Sequence, residues 1–471
     1  MPSIHVLVIL IGLLLGRDLA QARGDALPAS PSQFFVACGW VGVVALVALI
    51  SLPACAKAAA YRGSWRMLQR GLGLAQMLRW LVVIPFALWA VLADGVGAVE
   101  GWIGSWIGLD EMLAATAPLL ALLTIAWAEH PLHDRMRQAM LVRQLDEGGL
   151  VDRPPTRLES TIGKARMMLA MPLVPVLLIV CWHETIDAVF VDGPVWLAST
   201  VDVMGTILIV AVAPAIVVRV LGTRPLADGP LQERIDDLCK QMGARISGVR
   251  LWDNPSANAA ILGLLPFARY MLITEPLLRG MPRHELDAVI AHELAHVRQH
   301  HVLWIVLSLM AIVTLLSFAQ TPLASLLDVL GTTASEAIAF TLVAALAIHA
   351  FGVISRLIER HADARAAVAV ATEIAGEQGV PDELVHPGGP ASMAAALSRV
   401  CALNGVNPGR WGFRHGSVAQ RQRALSLLPG LPAGRLPVDR KVALLRRATL
   451  LCLFGLGLFM LLGLSLGWLR W

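Results

Sequence analysis

Charged side chains are scarce in this chain: only 15% of its 471 residues are Asp, Glu, Lys or Arg, and 56% are hydrophobic. Soluble globular domains contain about 25% charged residues and roughly 45–50% apolar ones, so this composition excludes an ordinary soluble domain. Several apolar runs reach the roughly 18–20 residues that a helix needs to cross a hydrocarbon core about 30 Å thick. We therefore expect a mainly α, polytopic helical membrane protein.

The chain also lacks the cysteine pattern of a thiolate metal site or a disulfide framework. Its six cysteines are scattered, and none belongs to a C-x-x-C pair. The formal net charge is only +4. In a membrane protein such a charge is more informative through the placement of Lys and Arg, which sets orientation, than as a nucleic-acid signal. We expect no nucleic-acid partner.

Lys and Arg are absent from alternate loops between the apolar runs. The loops at about 99–111, 187–201 and 323–336 contain none, whereas residues 56–79 carry five and residues 129–166 carry seven. By the positive-inside rule the basic loops are cytoplasmic.

The apolar runs divide the chain into membrane and polar parts. The expected spans lie at about 34–55, 76–98, 112–128, 167–186, 202–221, 302–322, 337–357 and 447–469. The expected parts are a five-span bundle over 34–221, a polar segment over 222–301, two spans over 302–357, a second polar segment over 358–446 and an additional C-terminal span over 447–469. Crossing by crossing, both polar segments fall on the cytoplasmic side, so any sizeable folded body outside the membrane must combine them.

The first 22 residues allow two interpretations. The apolar run Val6–Leu15 is short and precedes Ala20-Gln-Ala22, a small-residue pattern typical of a signal-peptide cleavage site. However, Arg17 and Asp18 interrupt the approach to that site, and no basic residue precedes the run. Residues 1–22 are therefore either a signal peptide or an extra helix.

The polar segment 222–301 combines helical and strand-like patterns. A helical spacing of apolar residues over Pro230–Met242 precedes three short strand-like runs, which are Val249–Trp252, Ala257–Leu262 and Tyr270–Thr274. A second helix is expected to begin near Pro282 and is able to continue into the span after His301. The segment is therefore expected to fold as part of a small α+β domain.

This second helix carries the motif Ala291-His-Glu-Leu-Ala-His296. Residues four apart share a helix face, so His292 and His296 can present two imidazole nitrogens to one zinc ion at about 2.0–2.1 Å. Glu293 lies one residue round the helix, close enough to accept a proton from a zinc-activated water without binding the metal. Two histidines and a glutamate are costly in so apolar a helix unless they bind something. We predict one zinc ion per chain.

A catalytic zinc site needs a third protein ligand, and the segment Ser355-Arg-Leu-Ile-Glu-Arg-His-Ala-Asp363 offers one just as the chain leaves a span. Glu359 and Asp363 are four residues apart and share a face, so Glu359 can bind the metal while Asp363 hydrogen-bonds a ligand imidazole. His361 is the alternative ligand. It lies about 200° round the helix from Glu359, so the two cannot both face the metal.

These residues resemble a family of integral-membrane zinc peptidases that includes the type I CAAX prenyl proteases and their bacterial heat-shock membrane relatives. That family has H-E-x-x-H, then two spans, then E-x-x-x-D, and this chain has His292–His296, two apolar spans and Glu359–Asp363. Ser256-Ala-Asn-Ala-Ala260 resembles the family's Asn-Ala segment. Arg414-His-Gly-Ser417 followed by Arg421-Gln-Arg-Ala-Leu425 resembles its basic-His-Pro-Ser…Arg…Leu segment, with Gly416 in place of the proline. The resemblance covers roughly residues 222–430.

The resemblance implies a zincin-like catalytic domain assembled from the two cytoplasmic segments, and it implies further roles. Glu293 would be the general base and then the proton donor to the leaving amine. His415, with Arg414, would stabilise the oxyanion. Asn258 and the strand beside it would hold an extended substrate by main-chain pairing.

The resulting hypothesis is a zinc endopeptidase of the bacterial inner membrane that cleaves membrane-associated or misfolded polypeptides on the cytoplasmic side. Its partners would be the lipid bilayer and a polypeptide substrate. A signalling receptor like the β-lactam-sensing membrane metallopeptidases is an alternative, but its large outside domain has no counterpart here, where the outside loops are shorter than about 25 residues. A non-enzymatic membrane chaperone or scaffold is a second alternative, against which the complete set of ligand and base residues argues. Cleavage of prenylated proteins is not indicated, because it requires a prenylating cell.

Overall fold

The computed structural model of the protein describes residues 2–23, 31–104, 106–146, 155–191, 193–254, 256–327, 332–378, 383–404 and 406–465. The chain divides into two compact units, one of Met1–Arg224 with Trp252–Pro255 and the other of Pro225–Leu251 with Ser256–Trp471. Among the described residues, eight helices are long and apolar enough to cross a membrane. The expectation of a mainly α, polytopic helical membrane protein is confirmed.

The first unit is built from helices. They are α1 (Pro2–Arg23), α2 (Pro31–Arg62), α3 (Trp65–Leu92), α4 (Gly95–Ile103), α5 (Leu109–Asp146), α6 (Arg157–Met168), α7 (Val174–Val189) and α8 (Val195–Val220), with a π-helical turn over Leu169–Leu173. The core contains fully buried apolar side chains from α1, α2, α3 and α5, such as Val6, Leu52, Val82 and Ile125. The stretch that the sequence left open as a signal peptide or an extra helix is thus part of α1, and it packs into this core.

Arg17 of α1 lies among carboxylates of the first unit. Its guanidinium is 3.0 Å from Glu100, 2.6 Å from Glu111 and 3.2 Å from Glu184. The carboxylates of Asp110, Glu111 and Glu184 also lie close enough together to share a cation, but the arginine already supplies positive charge there. Arg17, which interrupts the apparent cleavage site, therefore has ion-pair partners within the fold.

The apolar run at 76–98 does not form one helix. Helix α3 ends at Leu92 within this run. Asp94 has a φ of 46° and caps the next helix, α4, by accepting a hydrogen bond from the Gly97 N–H at 3.0 Å. A non-glycine residue with positive φ cannot continue a right-handed helix, and an aspartate at this position satisfies an N-terminal N–H. The span is therefore Trp65–Leu92, which begins and ends earlier than expected.

From residue 224 onward the chain forms short strands and a helix up to Thr274, and then a series of helices. The strands are β1 (Arg224–Pro225), β2 (Gly248–Trp252), β3 (Ala259–Leu262) and β4 (Tyr270–Thr274). The helices are α9 (Pro230–Met242), α10 (Glu275–Gly280), α11 (Arg283–Arg298), α12 (His301–Leu326), α13 (Thr332–Glu377), α14 (Gly388–Asn404), α15 (Val418–Leu425) and α16 (Pro437–Ser465), with a 3-10 turn over Pro266–Ala268. The part of the expected C-terminal span beyond residue 465 lies outside the described residues.

The strands form one sheet in the order β1-β2-β4-β3. β3 pairs antiparallel with β4, in a register that sets Ala259 opposite Ile273 and Leu262 opposite Tyr270. The strand-like runs predicted at 249–252 and 270–274 correspond to β2 and β4, whereas the run at 257–262 becomes a strand only from Ala259. β3 lies at the edge of the sheet, and the expected small α+β body is confirmed.

The core of this body lies between the sheet and helices α11, α13 and α14. Met271 and Ile273 of β4 are fully buried, as are Ile290 and Leu294 of α11. Leu294 lies between the two histidines of the motif, so burial of the apolar face of α11 fixes the rotation of the helix and thereby the direction of His292 and His296.

The helix that carries the metal motif does not continue into the following span, so that prediction is wrong. α11 ends at Arg298, and His300 takes the left-handed conformation with φ 55° and ψ 37°. This conformation ends a right-handed helix, and α12 begins at the next residue. The break turns His301 into the first residue of a new helix.

Helix α13 joins a membrane span to the second metal-binding segment without interruption. It has 46 residues, a length of about 69 Å at 1.5 Å per residue, whereas a hydrocarbon core is only about 30 Å thick. Glu359 and Asp363 therefore lie on the same continuous helix as the span.

Candidate metal centre

Two histidines of α11 and one glutamate of α13 bring ligand atoms to one point. The Nε2 atoms of His292 and His296 lie 3.3 Å apart. The Glu359 carboxylate oxygens lie 3.6 Å from His292 Nε2 and 3.8 Å from His296 Nε2. His292 and Glu359 are buried, and His296 is half-buried. The structure therefore brings together the three residues that the spacing selected as metal ligands.

The spacing of these atoms fits a zinc ion. Zinc that binds nitrogen and oxygen tetrahedrally at about 2.0–2.1 Å holds its ligand atoms roughly 3.3 Å apart. The separations of 3.3, 3.6 and 3.8 Å are close to that value. Two imidazoles and one carboxylate also leave a fourth position for water or substrate, which is the arrangement of a hydrolytic zinc site rather than a structural one.

The surroundings of the site stabilise a cation. Burial disfavours a charged imidazole, but the neighbouring carboxylates of Asp363 and Glu359 raise the pKa of His292 to about 10. Burial and the charge on His292 lower the pKa of His296 to about 3. The two carboxylates thus hold one positive charge between the facing histidines, which is where a metal cation fits.

Asp363 connects the site to helix α15. Its Oδ1 lies 3.0 Å from Nδ1 of His292, and its carboxylate accepts two hydrogen bonds from Arg421, at 2.7 Å from Nε and 2.5 Å from Nη2. Both Asp363 and Arg421 are buried. The contact with Asp363 is on the Nδ1 side of the His292 ring, and Nε2 faces the metal position.

Glu293 lies beside the ligands on the same helix and is half-buried. Its carboxyl group lies near the backbone of Ile261 in β3, and that contact lowers the pKa of the group. Burial raises the pKa of the Glu293 carboxyl to about 7, against the lowering effect of His292. A carboxyl group with that pKa exchanges a proton readily near neutral pH, which suits a general base.

His361 faces away from the metal position. Its Nδ1 lies 2.8 Å from His301 Nε2, and its Nε2 lies 3.1 Å from Asp439 Oδ1. Both ring nitrogens are therefore engaged. Of the two alternative ligands on α13, the structure brings Glu359, and not His361, to the histidine pair.

The loop before α15 carries His415 to the metal site. Its Nδ1 lies 2.9 Å from Glu359 Oε2, and its side chain is 40% exposed. The neighbouring Arg414 is half-buried, and its Nε has no hydrogen-bond partner within the described part of the chain. Gly416 has a φ of 70°, which proline cannot adopt. The glycine that replaces the family's proline is therefore what this loop conformation requires.

Asn258 lies just before the edge strand. Its backbone carbonyl accepts a hydrogen bond from the Thr274 N–H at 3.0 Å, and its N–H donates to Thr274 Oγ1 at 2.8 Å. The residue itself is exposed. The backbone of Asn258 thus anchors the start of β3 to β4.

Reasoning from the sequence assigned no role to Arg421. The residue lies in the segment that resembles the family, but it is 58 positions from Asp363, and no periodicity joins the two. The only signal was its match to the arginine of the family's basic-His-Pro-Ser…Arg…Leu segment, which gave it no partner. Its position between helices becomes visible only in the folded chain.

Comparisons with known proteins agree with this geometry. Residues 225–383 match the model of Peptidase family M48. The Protease HtpX homolog of Bacteroides fragilis is 24% identical over 249 residues, which cover 50% of this chain and 74% of the relative. The Protease HtpX homolog of Listeria monocytogenes is 30% identical over 89 residues, 18% of this chain and 29% of the relative. The chain is also similar to the crystal structure of S. mikatae Ste24p, with a TM-score of 0.46 and 15% identity over 89% of this chain and 99% of that one.

The matched residues include α11 and the part of α13 that carries Glu359 and Asp363. The resemblance to membrane zinc metallopeptidases that the motifs indicated is thereby confirmed. Together with the eight candidate spans among the described residues and the converging ligand atoms, the match of residues 225–383 to the model of Peptidase family M48 supports a multi-pass membrane metalloprotease.

Proposed function

We propose that the protein is a zinc-dependent endopeptidase that hydrolyses peptide bonds of membrane-associated or misfolded proteins at the cytoplasmic face of the bacterial inner membrane. The observation that carries this proposal is the convergence of His292 Nε2, His296 Nε2 and the Glu359 carboxylate beside the half-buried Glu293. One zinc ion per chain fits this donor set.

Each residue at the site has a separate task in the proposed reaction. A bound zinc ion would supply Lewis acidity to the scissile carbonyl and lower the pKa of the attacking water. The Glu293 carboxylate takes a proton from that water and delivers it to the leaving amine nitrogen. His415, with Arg414, donates to the oxygen that becomes negatively charged. Asp363 and Arg421 hold His292 in the required orientation.

The edge of the sheet offers a place for the substrate backbone. Hydrogen-bonded and non-hydrogen-bonded pairs alternate along antiparallel strands. Because the Asn258 carbonyl bonds to β4, Ala260 and Leu262 also bond to β4, whereas the backbone groups of Ala259 and Ile261 point outward. The nearness of the Ile261 backbone to Glu293 agrees with this assignment. An extended peptide that pairs with β3 would therefore lie next to the general base.

The proposed substrate class is supported by the position of the site relative to the spans of the second unit. Only Gln299 and His300 separate α11 from the candidate span of α12, and Glu359 belongs to the helix that forms the next candidate span. A site at the ends of two spans is within reach of polypeptides at the membrane surface. The cytoplasmic side is supported by the Lys and Arg of residues 56–79 and 129–166.

The Glu293→Gln variant tests this function. We expect it to abolish hydrolysis of a casein-type or membrane-anchored reporter, while zinc stays near one per chain, because the residue moves a proton and does not bind the metal. Glu233→Gln makes the same change at an exposed position of α9 and is expected to keep full activity.

Two other results would each reject part of the proposal. Wild-type protein that binds no zinc and cleaves no substrate would favour a chaperone or scaffold. Loss of zinc from Glu293→Gln, or full activity of that variant, would reject the assigned role of the glutamate.

A further inference from the structure

A chain of hydrogen-bonded side chains leads from the metal site to the start of α16. Nδ1 of His296 lies 3.0 Å from Nδ1 of His301. Nε2 of His301 lies 2.8 Å from Nδ1 of His361, and Nε2 of His361 lies 3.1 Å from Oδ1 of Asp439. His301 is completely buried and His361 is 2% exposed. Three histidines thus connect α11, α12 and α13 to a carboxylate on α16.

When a metal is bound at His296, each hydrogen bond in this series of side chains can have only one donor. A neutral imidazole has one donor and one acceptor nitrogen. If Nε2 of His296 binds zinc, its proton is on Nδ1, and Nδ1 of His301 must accept it. His301 then donates from Nε2 to His361, which in turn donates from Nε2 to Asp439. Every ring nitrogen is satisfied with all three imidazoles neutral.

Asp439, the last residue of this hydrogen-bonded series, is held by two further hydrogen bonds. Its Oδ2 accepts hydrogen bonds from Arg365 Nη2 at 2.6 Å and from the Leu436 N–H at 2.8 Å. Arg365 belongs to α13, and the aspartate is in the first turn of α16. The carboxylate therefore stays ionised and fixed, which suits the final acceptor of a chain of donors.

We propose that His301, His361 and Asp439 are positioning residues that orient the His296 imidazole for zinc and make α16 part of the metal centre. The proposal rests on the proposed function in one respect, that zinc binds at Nε2 of His296. The two ligand histidines are then held in different ways. Asp363 is 3.0 Å from Nδ1 of His292. Nδ1 of His296 is instead connected to the carboxylate of Asp439 through the imidazoles of His301 and His361.

This assignment gives a function to features that the sequence left unexplained. The C-terminal helix is additional to the plan that the family resemblance implies, and His361 was the alternative metal ligand. The C-terminal helix and His361 belong to one hydrogen-bond network, because the His361 side chain faces α12 and α16 on the side of α13 away from Glu359. Partners that hydrogen-bond a ligand imidazole typically contribute roughly 10–100-fold to metal affinity.

His301 allows a matched test, because leucine and asparagine have nearly the same shape. Asparagine places an amide oxygen near the position of Nδ1 and can accept the His296 proton, whereas leucine cannot. We expect His301→Leu to raise the zinc dissociation constant roughly 10–100-fold, measured on the full-length protein in detergent by competition with a chromogenic chelator. His301→Asn should restore most of the affinity.

Two further measurements separate positioning from simple packing. Thr449→Val removes a different buried contact between α12 and α16, the 2.8 Å hydrogen bond between the hydroxyl groups of Ser308 and Thr449, and should leave zinc affinity unchanged. In protein saturated with Co²⁺, the visible absorption bands report the ligand geometry at the metal. We expect them to change in His301→Leu and to match the wild type in Thr449→Val.

Equal loss of affinity in the leucine and asparagine variants, or in Thr449→Val, would show that the contacts act only through packing and would overturn the proposal. Unchanged affinity and unchanged Co²⁺ bands in His301→Leu would overturn it as well. If the leucine variant does not fold, Asp439→Leu, which removes the final acceptor, replaces it, and unchanged zinc affinity in that variant would also overturn the proposal. Failure of the proposed function is distinguishable, since wild-type protein would then bind no zinc or Glu293→Gln would stay active.

Discussion

The guanidinium of Arg421 donates two hydrogen bonds to the carboxylate of Asp363, at 2.7 Å from Nε and 2.5 Å from Nη2. Asp363 in turn lies 3.0 Å from Nδ1 of the ligand His292. A helix that comes after both metal-binding segments therefore fixes the orientation of a ligand on the first. The ion pair is buried, so removal of the arginine leaves the Asp363 carboxylate charged, unpaired and out of contact with solvent.

The Arg421→Met variant is expected to lose about 3–5 kcal/mol of folding free energy, because it leaves Asp363 as an uncompensated buried carboxylate. Zinc affinity should fall in the same variant, since His292 loses its fixed orientation. Thermal or denaturant unfolding in detergent measures the first effect. Arg423→Met changes an exposed arginine of the same helix and should leave stability within about 0.5 kcal/mol. Equal stability of the two variants would contradict the assignment.

His415→Ala is expected to lower kcat by about 10²–10³ while zinc content stays near one per chain. This is the usual effect of removing one donor to a developing oxyanion. Initial rates over a range of substrate concentrations separate kcat from KM. His349→Ala, at an exposed position of α13, is the control. If His415→Ala loses zinc and keeps its kcat, the role of His415 is instead to hold Glu359, which it contacts at 2.9 Å.

Proline substitutions on β3 test the docking of the substrate backbone. Proline is tolerated at a sheet edge only where its missing N–H points away from the neighbouring strand. Ala259→Pro should therefore fold and bind zinc but show a raised KM, because the N–H offered to the substrate is gone. Ala260→Pro removes an N–H directed at β4 and should prevent folding. Two variants that behave alike would show that the assigned alternation along β3 is wrong.

The orientation in the membrane is open to cysteine labelling. In a variant without the six native cysteines, a single cysteine at Gln144 should react with an impermeant maleimide only from the cytoplasmic side. A single cysteine at Val191 should react only from the opposite side, as the distribution of Lys and Arg requires. The reverse pattern would place the metal site outside the cell and remove cytoplasmic proteins from the set of substrates.

The features that the sequence predicted are those that depend on local spacing. Apolar runs of sufficient length indicated the spans, and the four-residue repeats placed His292 with His296 and Glu359 with Asp363 on single helix faces. Both expectations need only the geometry of an isolated helix. Strands β2, β3 and β4 were also predicted, because alternation and flanking turn residues are local properties, whereas the two-residue β1 was not.

The features that were not predicted depend on contacts between distant parts of the chain. Arg421 and Asp363 are 58 positions apart, and His301 and His361 are 60 apart. Only the packing of several helices brings such pairs together. The break at His300 was missed for a different reason: a histidine with positive φ has no strong sequence signature, in contrast to a glycine.

X-ray absorption at the zinc K edge of the purified protein tests the central claim most directly, because it reports the ligands of the metal itself. We expect one zinc ion per chain with two imidazole nitrogens and oxygen donors at about 2.0–2.2 Å. Glu359→Gln should lower the zinc content or change the oxygen shell, whereas Glu233→Gln should leave the spectrum unchanged. Sulfur ligands at about 2.3 Å, or a spectrum that Glu359→Gln does not alter, would contradict a centre built from His292, His296 and Glu359.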